Sequence, residues 1–287
     1  ILSRNAVMDG LKAEIEELEK QSKILNLDIK ECQSAIDKFH AYKQDAENTI
    51  APAGTFNMYV NREPRFYVSV LYNGAWYRQS SRYVDFYYAG EDGRPASGSL
   101  WDAPQTGYLL RKRVHPETNI LNYSIPYRPG IICRLAEAYL NYAEALNEWA
   151  PEQTDEILKY VNLVRERAGI PQYGTGKDSN GLDKIPAPAD QTAMREAIRR
   201  ERRVEFNCEY AIRFDDIRRW KQIDILRGDF YGMNKFGTEK SCDKNNENAY
   251  FKRRVEITRA FSEKNYWFPI HQNQLDKNPN LRQLPKW

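Results

Sequence analysis

Between Leu11 and Phe39 apolar residues recur at alternating spacings of four and three. Ile15, Ile29 and Ile36 share one heptad position with Ser22, and Leu11, Leu18, Leu25, Cys32 and Phe39 share the other. That pattern predicts a long amphipathic helix over 11–39, or a helical hairpin broken near Asn26. Asp9-Gly10 offers a start and Pro52 a stop. Such a helix is either a docking or dimerisation arm or an insertion folded back on its own domain.

The pattern then changes. Arg65 to Tyr72 reads as a strand closed by an Asn73-Gly74 turn. From Trp76 to Tyr108 aromatic residues are interleaved with glycine and proline, which places them on loops or short strands. Helical periodicity returns at 131. One helix runs through Ile132, Leu135, Tyr139, Tyr142 and Leu146, with Ala136, Ala138, Ala143 and Ala145 permitting close approach. A second spans Asp155 to Ala168 and stops at Gly169 and Pro171. The pair has the form of one tetratricopeptide-like unit. A loop over Gly174–Pro188 precedes two further helices, Asp190–Cys208 and Glu209–Leu226, the latter turning Tyr210, Phe214 and Ile217 inward. Gly228–Asn248 has turn composition, and Tyr250–Ile257 is a short strand candidate. The expected fold is mainly α with a few short strands. An opening segment, 1–52, precedes a domain over 53–287 that divides into 53–130, 131–226 and 227–287.

Composition adds one clue and removes several classes. A hydrophobic share of 41% over 287 residues suits a folded chain. Aromatics reach 13% with Tyr 19 and Trp 6, and such rings stack on sugars and anchor interfaces. The net charge is only +3. Its densest basic run, Arg195–Arg203, is broken by Glu196 and Glu201 and followed by Glu205, a salt-bridged helix face and not a nucleic-acid groove. Cys32, Cys133, Cys208 and Cys242 form no C-x-x-C pair, and His40, His115 and His271 are far apart, so no zinc or histidine site is indicated. No apolar run approaches a membrane span. Ile1 opens no signal peptide, as expected of numbering that starts downstream of one.

Five ordered blocks carry a resemblance. They are Asn61-Arg62-Glu63-Pro64-Arg65-Phe66, the helix Leu135 to Ala145 (LAEAYLNYAEA), Val161 to Gly169 (VNLVRERAG), Glu201 to Phe206 (ERRVEF) with Arg213 to Lys221 (RFDDIRRWK), and the ending Tyr266 to Gln283. In that order they resemble the SusD/RagB family of outer-membrane nutrient-binding lipoproteins, over residues 61–287. Ala211-Ile212 stand where the family has Gly-His, Asp215 where it has an aromatic, and His271 replaces the second proline of a P-I-P. Family members run to roughly twice this length, so the chain corresponds to the C-terminal portion of a SusD-like fold. The helix at 11–39 is then an insertion.

The resemblance implies a non-catalytic protein that captures oligosaccharide at the outer membrane and delivers it to a SusC-like TonB-dependent transporter. It also implies a missing N-terminal half and a lipid anchor on a cysteine outside this chain. Peptide or protein binding by the same fold is the alternative. The motif residues Arg202, Arg203, Arg213, Arg218 and Arg219, with Glu205, Asp215 and Asp216, read as a structural lattice of ion pairs, with Trp220 beneath it. The binding candidates are the loop aromatics Trp76, Tyr77, Tyr87, Tyr88 and Trp101, with Gln79, Arg82, Asp85 and Asp102 to meet sugar hydroxyls. No cofactor is implied; a calcium ion in the loops is left open, without assignable ligands.

Overall fold

The computed structural model describes residues 55–77, 82–93 and 103–287, apart from positions 116, 120, 121, 129, 210, 211, 242 and 244, together with 10, 12, 13, 15 and 16. Of the helix expected over 11–39, Lys12, Ala13, Ile15 and Glu16 are helical; the remainder of that stretch lies outside the described residues. The fold is mainly helical, with short strands in two-stranded ribbons. It divides into two compact units, one drawn from 1–70, 75–82 and 111–207, the other from 71–74, 83–110 and 208–287.

The first unit rests on α2 (Leu135–Trp149), α3 (Thr154–Arg167) and α4 (Gln191–Glu205), with short α1 (Pro64–Ser69) ahead of them. Helix α2 packs against both α3 and α4. Its buried face of Ala136, Leu140, Ala143 and Leu146 recurs at the three- and four-residue spacing of one helix side. Ile157, Val161 and Val164 do the same on α3, and Met194 and Ile198 on α4. Each fully buried leucine or isoleucine contributes roughly 1.5–3 kcal/mol. Tyr160 wedges between the helices, its ring 4.7 Å from Tyr142 and 5.4 Å from Tyr139. At the start of α4 the Asp190 carboxylate accepts the Ala193 N–H at 2.8 Å.

Helix α3 ends as its sequence predicts. Gly169 takes a φ of 65°, the Ile170 N–H bonds the Arg165 carbonyl at 3.1 Å and the Gly169 N–H the Glu166 carbonyl at 3.0 Å. Those two bonds define a Schellman stop, which needs a left-handed residue after the cap.

The stretch expected as a strand from Arg65 is a helix over Pro64–Ser69 and becomes strand only at β1 (Val70–Tyr72). Pro64 sits in the first helical turn, where its missing N–H costs nothing. The residues after it favour strand but stand in the helix, where Arg65 makes the ion pairs described below. Strands β2 (Trp76–Tyr77) and β3 (Arg82–Tyr83) pair, and β1 pairs with β4 (Tyr108–Leu110). The Asn73-Gly74 turn follows β1: the Asn73 side chain accepts the Phe86 N–H at 2.7 Å, and the Gly74 N–H bonds Val84 O at 2.8 Å.

In the second unit the helix expected over Glu209–Leu226 is divided. It forms α5 (Ile212–Arg219) and a 3-10 turn at Ile223–Leu226, parted by Lys221 in the left-handed region at φ 57°. Strand β5 (Gly228–Gly232) occupies a stretch whose composition indicated only turns, and pairs antiparallel with β6 (Arg254–Arg259), with an irregularity at Phe230/Tyr231. Ile217, Ile223, Phe86 and Tyr250 are fully buried here. Helix α6 (Gln272–Lys277) is capped by His271, whose Nδ1 accepts the Asn273 N–H at 3.2 Å. That capping bond gives the replacement of proline at this position a local role.

Candidate functional site

The candidate binding residues fall into groups. Gln79, Trp101 and Asp102 lie outside the described residues. Trp76 and Tyr77 form β2 and Arg82 opens β3, all three half-buried. Asp85, Tyr87 and Tyr88 follow on the loop 84–93 of the second unit.

In that loop Asp85 shapes the backbone. Its N–H donates to Asp92 Oδ2 at 2.9 Å, the Asp92 N–H returns to Asp85 O at 2.9 Å, and Asp85 Oδ1 accepts the Tyr87 N–H at 3.2 Å. Tyr87 is half-buried, edge-on to Tyr250 at 5.1 Å. Burial raises its phenol pKa above the usual tyrosine value; a hydrogen bond with Asn73 opposes the shift and the charge of Asp85 adds to it. Tyr87 is thus as much a packing residue as a surface one.

Tyr88 differs. Its N–H donates to Gly237 O at 2.9 Å, which ties two loops together. Its ring lies 6.3 Å from Phe236, and the Arg254 guanidinium sits 5.0 Å over Phe236. Phe236 keeps 42% of its surface exposed. Gly237 itself lies against the Tyr250 backbone, where a Cβ would fall 2.4 Å from Tyr250 Cα. The result is an aromatic–cation group, Tyr88, Phe236 and Arg254. Phe236 and Arg254 escaped the sequence analysis: one sits in a run that shows only turn composition, the other in a strand candidate.

The most concentrated chemistry lies elsewhere, in the first unit. Glu201 and Glu205 stand one turn apart on α4, each 3% exposed. Arg65 Nη1 donates to Glu201 Oε1 at 2.6 Å and to Glu205 Oε2 at 3.0 Å, while its Nη2 meets Glu63 at 3.0 Å. Arg165 reaches Glu201 Oε2 at 2.8 Å. Arg134 and Arg167 each reach Glu205 Oε1 at 2.5 Å. Lys112 caps the end of α4, its Nζ donating to Glu205 O at 2.7 Å and Asn207 O at 3.1 Å. Beside them Arg202 donates to Asn141 Oδ1 at 2.6 Å.

Burial alone would raise the Glu205 pKa, but the charges of Arg167 and Arg134 and the hydrogen bonds from Arg134 and Arg65 outweigh it and hold the carboxyl at about 2. Arg65 shifts upward: burial opposes its charge, and Glu201 and Glu63 more than compensate. A carboxylate so firmly ionised donates no proton at neutral pH, and neither glutamate flanks an open reaction site as a glycosidase pair would. The cluster is a structural lock.

The lattice expected of the motif residues is therefore only partly met. Arg202 and Glu205 are buried as anticipated, but Arg203 is exposed, because it projects from α4 on the side away from the cluster. In the second unit Arg219 pairs with Asp216 at 2.8 Å and lies 4.7 Å over the half-buried Trp220. Arg218 donates twice to Tyr266 O, at 3.1 and 2.8 Å. Glu63, Arg65, Arg165, Arg167 and Glu201 stand inside the blocks quoted above, yet only their meeting in space reveals their partnership. Arg134 lies just outside any block.

Among the described residues no helix is long and apolar enough to cross a membrane, and no group of three His, Cys, Asp or Glu residues is arranged to hold a metal ion.

The chain is thus mainly helical, with a buried arginine–glutamate lock in one unit and aromatic loops in the other. The chain belongs to the SusD family: the family model SusD_RagB matches residues 7–287. Proteins of this family are non-catalytic binding proteins. Among solved structures, the chain is 25% identical to BT4246, with a TM-score of 0.65, over 84% of this chain and 40% of that one. A SusD-like protein from Bacteroides fragilis NCTC 9343, BF3747, is 29% identical with a TM-score of 0.59, over 80% and 40%. A SusD-like carbohydrate binding protein from the same organism, BF0978, is 26% identical with a TM-score of 0.55, over 79% and 42%. A search of curated proteins finds no match. The chain thus spans about 40% of the length of the solved structures it matches.

Proposed function

We propose that the protein captures oligosaccharide at the bacterial outer-membrane surface, without cleaving it, for import through a SusC-like TonB-dependent transporter. In this reading it is held there by a lipidated cysteine outside this chain. Family membership and the carbohydrate-binding relative support the class of ligand. The observation that carries the reading is the group Tyr88, Phe236 and Arg254, in which the exposed Phe236 ring lies beside the Arg254 guanidinium. Sugar rings present apolar C–H faces to aromatics and hydroxyls to charged donors, so this pairing of surfaces fits a saccharide. Trp76, Tyr77 and Arg82 are the second place to look, with Trp101 and Gln79 as further candidates.

Calorimetric titration of defined oligosaccharides onto wild type, Tyr88→Ala, Phe236→Ala and Trp76→Ala tests this. Loss of one stacking ring should weaken binding about tenfold, equivalent to about 1.4 kcal/mol. Equal affinity for all variants removes these rings from the site. Retention of peptides with no sugar bound turns the assignment to the peptide-binding alternative, and release of reducing ends would contradict a non-catalytic role.

A further inference from the structure

Strand β6 and the residue before it divide into two faces. Arg254, Glu256 and Thr258 are engaged: the Arg254 guanidinium lies over Phe236, Glu256 pairs with Lys235 at 2.5 Å, and Thr258 donates to Asp229 at 2.5 Å. Arg253, Val255, Ile257 and Arg259 alternate with them and so share the opposite face. All four are exposed, Val255 at 44% and Ile257 at 48%. An antiparallel ribbon ordinarily turns uniformly polar side chains to water on its open face, so exposed aliphatic residues between two arginines call for an explanation.

Strand β5 adds two rings to that face. Directly paired residues of an antiparallel ladder lie on one face, and Phe230 pairs with Ile257 while Tyr231 pairs with Val255. Neighbours in a regular strand would point to opposite sides. The register shift between Phe230 and Tyr231 re-aims a side chain, as bulges do, and brings both rings to one side. The ring contacts agree: Arg253 lies 3.4 Å over Tyr231 and Arg259 4.6 Å over Phe230. Tyr231 keeps 46% of its surface exposed. Among the described residues neither arginine makes an ion pair with a carboxylate, and none of the six residues on this face is acidic.

Rings and aliphatic side chains set between two unpaired guanidiniums complement a ligand with apolar faces and negative charge. An arginine fork matches the paired oxygens of a carboxylate or sulfate, and aromatic rings suit the C–H faces of sugars. Arg253 and Arg259 stand six positions apart, roughly 20 Å of extended chain at about 3.3 Å per residue. One small anion cannot meet both; a chain with repeated charges can. We infer that the outward face of the β5–β6 ribbon binds acidic saccharide chains, those bearing uronate or sulfate groups, at a site apart from Tyr88, Phe236 and Arg254. The inference rests on the capture reading and narrows its substrate class.

Calorimetric titration of oligogalacturonides and heparin oligosaccharides, against malto-oligosaccharides of equal length, tests it. The wild-type chain should bind the better acidic probe about tenfold more tightly than the neutral one, and the preference should shrink as salt is raised. Arg253→Gln with Arg259→Gln should abolish the preference and leave the melting temperature unchanged; Arg253→Lys with Arg259→Lys should keep part of it. Arg200→Gln with Arg203→Gln removes equal charge from exposed positions of α4 and should leave the preference intact. An equal loss in that control, an undiminished preference in the ribbon variant, or equal wild-type affinity for acidic and neutral chains overturns the inference. Each of those leaves the capture reading standing where neutral chains bind, whereas failure of every saccharide to bind removes both. Adhesion to phosphatidylglycerol vesicles that the ribbon variant loses, with no acidic saccharide bound, assigns the face to a membrane surface and overturns the inference as well.

Discussion

The two units hold irregular chain against a helical or stranded frame by opposite means. In the first, side-chain charge does it: Arg65, Lys112, Arg134, Arg165 and Arg167 converge on Glu201, Glu205 and the end of α4. In the second, backbone bonds run loop to loop, from Tyr88 N–H to Gly237 O, Asp92 N–H to Asp85 O and Gly74 N–H to Val84 O, joined by the acceptors of Asp85, Asp92 and Asn73. The difference has consequences for stability. Buried charges are stable only as a complete set, because one missing partner strands the others in low dielectric. A backbone lattice tolerates side-chain change but not added bulk at its closest approach. Charge also responds to pH, and amide hydrogen bonds do not.

The largest effect is therefore expected from Glu205→Gln. The substitution keeps the shape but leaves Arg65, Arg134 and Arg167 facing a neutral amide, at a cost of about 3–5 kcal/mol. Urea unfolding followed by circular dichroism measures it. The same carboxyl sets an acid response. Its folded pKa of about 2 lies below the ordinary value of 4.5. Between those values the unfolded chain binds the extra proton, so stability rises with pH there. The contribution is complete above about pH 4.5 and is lost as pH falls toward 2, amounting to about 3 kcal/mol in all. Glu205→Gln should flatten that part of the pH profile. If the variant keeps the wild-type acid slope, the charge lock is not its source.

Next in size is Gly237→Ala. An added Cβ would meet the Tyr250 backbone, at 2.4 Å from Cα and 2.5 Å from N, where no flexible side chain end can move aside. Overpacking of this kind costs about 1–3 kcal/mol. The loss should be the same at pH 7 and at pH 3, which separates it from the charge lock. A pH-dependent loss would erase the contrast between the two units.

What the sequence disclosed follows the same division. Helices α2, α3 and α4 were legible because apolar spacing and the Gly169 stop are local signals. The helix at Pro64–Ser69 was not, since its aromatic and β-branched residues favour a strand. Pro64 in its first turn favours the helix, and Arg65 within it meets Glu201, 136 positions away. The lock was visible only as separate arginines and glutamates. Residue type announces that a charge needs a partner; it does not say which of many suitable ones the fold brings near. At the candidate site the chemistry of Tyr88 was legible from its aromatic, glycine-rich surroundings, whereas Phe236 enters through a contact between distant loops that no local pattern encodes.

The smallest expected effect has the opposite sign. Tyr250 is 1% exposed, packed against Tyr87 and Phe251 at 5.1 Å each, and among the described residues its hydroxyl has no hydrogen-bond partner. Burial raises its pKa well above the ordinary tyrosine value, with the nearby Tyr108, Tyr87 and Asp85 adding to the shift, so it stays neutral throughout the physiological range. A buried hydroxyl without a partner forfeits its hydration and gains nothing in exchange. Tyr250→Phe keeps the ring contacts and removes only the oxygen, so the second unit should gain about 1 kcal/mol. In the first unit, loss of a polar group from Glu205 is predicted to be ruinous. Here the same kind of loss should help, because this ring is held by packing and by the backbone around it. A measured loss of more than about 1 kcal/mol would instead mean that the hydroxyl bonds a water molecule, and the second unit would then depend on a buried polar contact as the first does.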